Sequence, residues 1–374
     1  MIKENKNDKR PYFHPTFGSR PAQIVGRDRE IEEFLEGLDA PVGSHERCTF
    51  FIGQRGMGKT ALLLELAERA QEKDYVVALV TAYEEMENDI IEVIQRNGSK
   101  VLPKEKKRIQ GVEAGAFGFS FGLTFSEATQ VQYGFRSKLT LLCDKLEEYG
   151  KGVLILVDEA KTSESMRQLA ITYQHLVGEE KNIAMVMAGL PQAVSTVLND
   201  KVLTFLNRAK KVKLDAISLS EIHAYYTKAF KESGIKCTES LLEEAVGSTK
   251  GFPYLMQLIG YYILKYVADD CSVTEKILHR ARAAAVSDLG NNVFEPILKP
   301  LSDMDMEFLE AMAKSEGESK TADIARRLGK SNSYIQPYRA RLIDAGIIES
   351  PRNGKLNFCV PYLADYIRGA ENDK

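Results

Sequence analysis

Eight consecutive residues, Gly53-Gln54-Arg55-Gly56-Met57-Gly58-Lys59-Thr60, constrain this chain more than any other stretch. They fit the pattern of Gly, any four residues, then Gly-Lys-Thr. The apolar run Cys48-Thr49-Phe50-Phe51-Ile52 precedes them, and a helix-like stretch from Ala61 to Asp74 follows. Strand, glycine loop and helix in that order is the context a phosphate loop requires. Glycines let successive backbone N–H groups curl around an anion, and the helix N-terminus adds partial positive charge. In such a loop Lys59 reaches the β- and γ-phosphates, and Thr60 offers its hydroxyl to Mg²⁺. A glycine-rich turn before a buried helix is the competing reading; the intact Gly58-Lys59-Thr60 weighs against it. Gly53 through Ala61 are therefore the candidate phosphate-binding residues.

A second motif supports the first. Val153-Leu154-Ile155-Leu156-Val157 is an apolar strand ending in Asp158-Glu159. Asp158 is placed to hold Mg²⁺, directly or through water, and Glu159 to orient and deprotonate an attacking water. An Asp-Glu pair alone is a weak signal. Downstream of a phosphate loop, the pair predicts ATP hydrolysis rather than binding alone, with ATP or ADP and Mg²⁺ as cofactors. Tyr75 to Val80, Ile183 to Ala188 and Lys211 to Leu214 supply further strands. Continuous apolar runs of this kind suit a parallel sheet covered on both faces. The fold expected is α/β: a five-stranded parallel P-loop NTPase core with right-handed crossovers.

Length and composition set the frame. A chain of 374 residues suggests two or three domains. The net charge of −3 gives no broad attraction to nucleic acid, so any DNA contact needs a local patch. Cys48, Cys143, Cys237, Cys271 and Cys359 are scattered and in no metal-ligand spacing, and read as buried thiols in a reducing cytoplasm. No apolar run reaches the ~18 residues of a membrane span, and the polar N-terminus is no signal peptide. Residues 1–20, broken by Pro11, Pro15 and Gly18, read as a flexible segment before a core over 21–217.

Residues 86–130 read as a β-rich insertion within that core. Phe117, Phe119, Phe121, Leu123 and Phe125 alternate with small residues after the basic run 104–108. The pattern fits a strand that packs on the domain, meets another subunit or stacks on single-stranded nucleic acid. Residues 218–300 read as a helical lid. Residues 301–374 then read as three short helices and a hairpin turning at Arg352-Asn353-Gly354, the pattern of a winged helix-turn-helix. Residues 326–355 hold seven basic side chains against Asp344 and Glu349. That clustering makes Lys330, Ser333, Arg339, Arg341, Arg352 and Lys355 candidate contacts to double-stranded DNA. Protein docking is the alternative use of such a module. Pro337 should delay or kink the third helix.

Taken together, these residues resemble bacterial ATP-binding proteins of the AAA+ class with an origin-recognition-like ATPase domain, close to the STAND branch. The likeness runs from Ile24 to Tyr366. Its anchors are Gly26-Arg27-Asp28, Gly53 to Thr60, Asp158-Glu159, Ala188-Gly189-Leu190-Pro191, Phe205 to Ala209, Gly251-Phe252-Pro253 and Tyr338 to Leu342. The resemblance implies that Gly26 and Arg27 lie against the nucleotide base and that Pro253 packs near adenine. It implies a nucleotide-dependent homo-oligomer, with Arg208 as a finger toward a neighbouring subunit; a local ion pair is the alternative for that arginine. The polar sensor usual at the end of the fourth strand is replaced by Ala188-Gly189, and the usual sensor arginine of the lid is not evident. The function expected is a slow regulatory ATPase that switches a DNA-binding module. The alternative is a STAND-like signalling ATPase whose winged helix binds no DNA.

Overall fold

Five apolar segments lie side by side as one parallel sheet: β1 (Cys48–Ile52), β2 (Tyr75–Thr81), β3 (Gly152–Asp158), β4 (Ile183–Gly189) and β5 (Lys210–Lys213). Their order is β2-β3-β4-β1-β5. The computed structural model describes residues 12–16, 18, 21–102, 134–268, 270–352 and 354–372. Side chains alternate between the sheet's two faces, so each strand serves two cores. Phe51, Leu154, Leu156 and Val186 meet α1 (Asp28–Gly37) and α2 (Lys59–Glu72) through Phe34, Leu62 and Leu66. Phe50, Val153, Ile155 and Met185 face the opposite way. There they pack with α3 (Met86–Val101), α4 (Phe135–Glu147), α5 (Glu164–Gly178) and α6 (Pro191–Leu198). Every residue of β3 and β4 is buried, which explains why these strands read as unbroken apolar runs. The parallel P-loop NTPase core is therefore as expected. The first part of the stretch 86–130, read as β-rich, is instead the helix α3. The basic run 104–108 and the alternating aromatics 117–125 lie outside the described residues.

A helical layer follows: α7 (Leu219–Glu232), α8 (Glu239–Ser248), α9 (Pro253–Tyr266) and α10 (Glu275–Leu289). Ser218, Thr238 and Thr274 cap three of these by accepting a backbone N–H in the first turn. After α10 the chain widens into a π-turn, Gly290–Phe294, and resumes as α11 (Glu295–Leu298). Pro296 supplies the reason. Inside a helix its ring collides with the carbonyl four residues back, here Asn292, and it has no N–H to donate. One extra residue in the turn relieves the clash.

The last part comprises α12 (Asp303–Ala313), β6 (Ser319–Lys320), α13 (Thr321–Leu328), α14 (Asn332–Asp344), β7 (Ile348–Arg352), β8 (Lys355–Phe358) and α15 (Leu363–Asn372). The strands form an antiparallel sheet in the order β6-β8-β7. Ser302 and Asp305 make a capping box at the start of α12. Pro337 does not delay α14, which starts right after its cap, Ser331. Both Pro337 and Ser333 are exposed, so water can take the carbonyl that proline leaves unbonded. The helical layer and this unit share one continuous core that includes Tyr226, Phe294, Phe308 and Leu342.

Two expectations need correction. Residues 12–16 are not loose. Phe13 is buried among Tyr225, Tyr226 and Phe230, with ring centroids 5.6, 5.1 and 6.1 Å away. Gly260 makes room for it: a Cβ there would sit 2.2 Å from the Phe13 ring. The cysteines are all free, but only Cys48 and Cys143 are buried; Cys237, Cys271 and Cys359 are half-buried. No helix among the described residues is long and apolar enough to cross a membrane.

Candidate nucleotide-binding site

The loop between β1 and α2 curls because its glycines take conformations that side chains resist. Gly56 and Gly58 have φ of +81° and +79°. Gly56 is also crowded: a Cβ would lie 2.6 Å from the ring of buried Phe252. The first turn of α9 closes the contact, with the Tyr254 N–H donating to the Gly56 carbonyl at 3.2 Å. Lys59 bends back over the loop, and its Nζ donates to the carbonyls of Gly53 and Gln54, both at 2.9 Å. Burial draws the Lys59 ammonium down to about 8; Asp158 opposes this, Arg55 reinforces it and Glu159 opposes it.

The second motif meets the first where predicted. The Thr60 hydroxyl donates to Asp158 Oδ2 at 2.5 Å, and the Glu159 N–H donates to Oδ1 at 2.9 Å. Asp158 is buried, whereas Glu159 is exposed and left-handed, with φ of +53°. That conformation costs a residue with a Cβ about 1–2 kcal/mol, and such strain gathers at functional sites. It turns the chain sharply after Asp158, so that Ala160 donates to the Ala188 carbonyl at 2.7 Å. The hard oxygens of Thr60 and Asp158 fit Mg²⁺. Among the described residues no group of three or more His, Cys, Asp or Glu side chains could hold a metal alone.

One cavity of about 310 Å³ joins these parts. Arg55 through Ala61, Asp158, Glu159 and Pro253 all line it, and a Cβ on Gly58 would lie 3.9 Å from Pro253 Cβ. Arg27 also reaches it. This guanidinium is buried, donates to the Asp215 carbonyl at 2.5 Å and lies 3.7 Å from Glu30. Burial lowers its pKa, against the pull of Glu30, Asp215 and Glu221. Gly26 is not part of the wall; with φ of +66° it packs against Ile217. Gly53 and Gln54, the first residues of the loop, are likewise not among the lining residues. The Gln54 side chain instead meets Gly346, where a Cβ would lie 2.4 Å from Oε1. Arg208 stands apart from the cavity, exposed at the end of a 3-10 turn, Thr204–Arg208. No ion pair holds it among the described residues. Sequence reasoning missed His14, Pro15, Thr16, Asn292 and Val293, which also line the cavity. Pro296 was the available cue for Asn292; nothing local marked His14.

The six candidate DNA contacts divide in two. Lys330, Ser333 and Arg352 are exposed. Arg339 donates to Ser350 Oγ at 2.9 Å, and Lys355 pairs with Glu318 at 2.5 Å. Arg341 is committed more deeply, with Nη2 2.6 Å from Oδ1 of buried Asp305. Burial pushes that carboxyl upward, yet hydrogen bonds from Ser302 and Arg341 hold it below its usual range.

Residues 24–259 match a family profile described as an ATPase domain predominantly from Archaea. The chain belongs to that family. Residues 291–367 of this ATPase-family protein also match a domain of unknown function. A search of curated proteins returned no match. Among solved structures, a Walker-type ATPase of Pyrococcus abyssi is 18% identical, with a TM-score of 0.71 over 96% of this chain and 99% of that one. The ORC2 protein of Aeropyrum pernix, in ADPNP–ADP complexes, is 15% identical with a TM-score of 0.63, over 96% and 98%. Cdc6p of Pyrobaculum aerophilum is also 15% identical, with a TM-score of 0.51, over 96% of both chains. The fold of this ATPase is thus that of the ORC/Cdc6 proteins, shared along nearly its whole length.

The low Lys59 pKa gives a measurable consequence. A bound polyphosphate needs the charged ammonium, so binding should take up a proton above pH 8. Nucleotide affinity should fall about tenfold between pH 7 and pH 9 as the free protein loses that proton. Calorimetric titration across this range checks it; a flat profile would mean that Lys59 stays charged throughout.

Proposed function

We propose that this protein is a slow Mg²⁺-dependent ATPase whose nucleotide state sets the position of its C-terminal unit. The convergence of Lys59, the Thr60–Asp158 pair and Glu159 on one cavity carries the reading. Lys59 binds the outer phosphates; Thr60 and Asp158 would hold Mg²⁺, which neutralises oxygen charge when bound. Glu159 orients the attacking water and takes its proton. The adenine nucleotides bound to the A. pernix ORC2 protein support ATP as the ligand. The Gln54–Gly346 contact supports the coupling, because the turn between α14 and β7 rests on the phosphate loop itself. Magnesium-dependent phosphate release from ATP tests the reading; a chain that neither binds nor hydrolyses ATP would remove it.

A second reading, that the C-terminal unit is a winged helix binding double-stranded DNA, draws on Lys330, Ser333 and Arg352 at the start of α14 and on the hairpin. Arg341 is a poor probe of it, since reversing its charge sets two carboxylates face to face at Asp305. The double variant Lys330→Glu/Arg352→Glu leaves those pairs intact. It should weaken duplex binding for all sequences and lower the slope of log affinity against log salt by about two. Fluorescence anisotropy over a salt series reads both. Unchanged binding would leave protein docking as the role of this unit.

A further inference from the structure

We propose that Asn292 is a nucleotide-contacting residue that donates a hydrogen bond to the polyphosphate from outside the phosphate loop. The inference rests on the nucleotide-binding reading above and adds a contact from outside the ATPase core. Asn292 lies in the π-turn imposed by Pro296 and lines the cavity together with Arg55 and Lys59. Its Nδ2 donates to the Tyr254 hydroxyl at 3.2 Å. The same Tyr254 donates its backbone N–H to the Gly56 carbonyl, and its Cβ lies 3.3 Å from where a Gly56 Cβ would stand. Asn292 is therefore fixed to a residue that is itself fixed to the phosphate loop. Only one of its two amide N–H donors is needed for Tyr254, leaving one for an anion.

The turn presents this side chain rigidly. Val293 and Phe294, which follow, are buried. The Phe294 ring lies 5.1 Å from that of Tyr366 in α15, and a Cβ on Gly290 would be 3.0 Å from Tyr366. A donor held on both sides loses little freedom on binding, which is what a specific anion contact requires. The neutral amide adds a donor to the cavity without adding a further cation to Lys59 and Arg55, which already line it.

Equilibrium binding of ATP and of inorganic tripolyphosphate to the full chain tests the proposal. Asn292→Ala should weaken both by about tenfold, the loss of one hydrogen bond to a charged group. Asn292→Asp keeps the size but sets a carboxylate against the anion, and should weaken both further. The thermal midpoint of the ligand-free Asn292→Asp protein, expected within a few degrees of wild type, separates loss of contact from loss of fold. Unchanged affinity in both variants overturns the proposal, as does a loss confined to ATP, which would put Asn292 on the base or ribose. If wild type binds neither ligand, the nucleotide reading itself has failed.

Discussion

Glu159→Gln is expected to slow ATP hydrolysis by about 10²–10⁴-fold, the usual contribution of a general base, while ATP affinity stays within about threefold. Glutamine keeps the size of the side chain and the polar contact to water but takes up no proton. The Thr60–Asp158 pair and the Lys59 bonds to the loop are untouched by the change. Binding of labelled ATP and phosphate release, measured on the same preparation, separate the two effects. Phosphate release at the wild-type rate would take Glu159 out of the base role. Its left-handed backbone would then be strain without a catalytic use.

Phe13→Ala should destabilise the helical layer by about 3–5 kcal/mol, the cost of emptying a buried aromatic site. The ring is 2% exposed and sits in a pit that Gly260 leaves in the face of α9. Because His14, Pro15 and Thr16 continue from Phe13 into the cavity wall, nucleotide affinity should fall in the same variant. Gly260→Ala supplies a control. Alone it drives a Cβ into the ring; combined with Phe13→Ala, it should add almost nothing, because the colliding group is gone. Urea unfolding of the two single variants and the double variant measures this. Additive losses would show that Phe13 does not depend on the pit.

How much of this was legible depends on the range of the interaction involved. The phosphate loop and Asp158-Glu159 are local patterns, and the chain folds them where the patterns say. The sheet was legible for the same reason, since strands buried on both faces leave continuous apolar runs. Phe13 was not, because its partners Tyr225, Tyr226 and Phe230 lie more than two hundred positions away and no periodicity links them. Arg341 was misjudged for a related reason. Asp305 spends one oxygen on the helix cap, and its second oxygen binds an arginine 36 positions on, a pairing that no local pattern marks. Asn292 had a signal that was passed over: Pro296 four residues later, inside an otherwise helical run. Gly26, with φ of +66°, packs on Ile217, while its neighbours Val25 and Arg27 line the cavity.

The strand order has a consequence for the birth of the protein. β1, which carries the phosphate loop, pairs only with β4 and β5. About 130 residues separate β1 from the start of β4. At the usual pace of synthesis, about 5–20 residues per second, that is a wait of roughly 7–26 s after β1 is made. During that interval β1 has neither edge covered, while β2 already has its neighbour once β3 emerges. Gly53, which opens the loop, donates its N–H to the Gly189 carbonyl at 3.2 Å, a bond that cannot exist until β4 is in place. The loop's first residue thus gains this bond only after β4 has been made and has paired with β1.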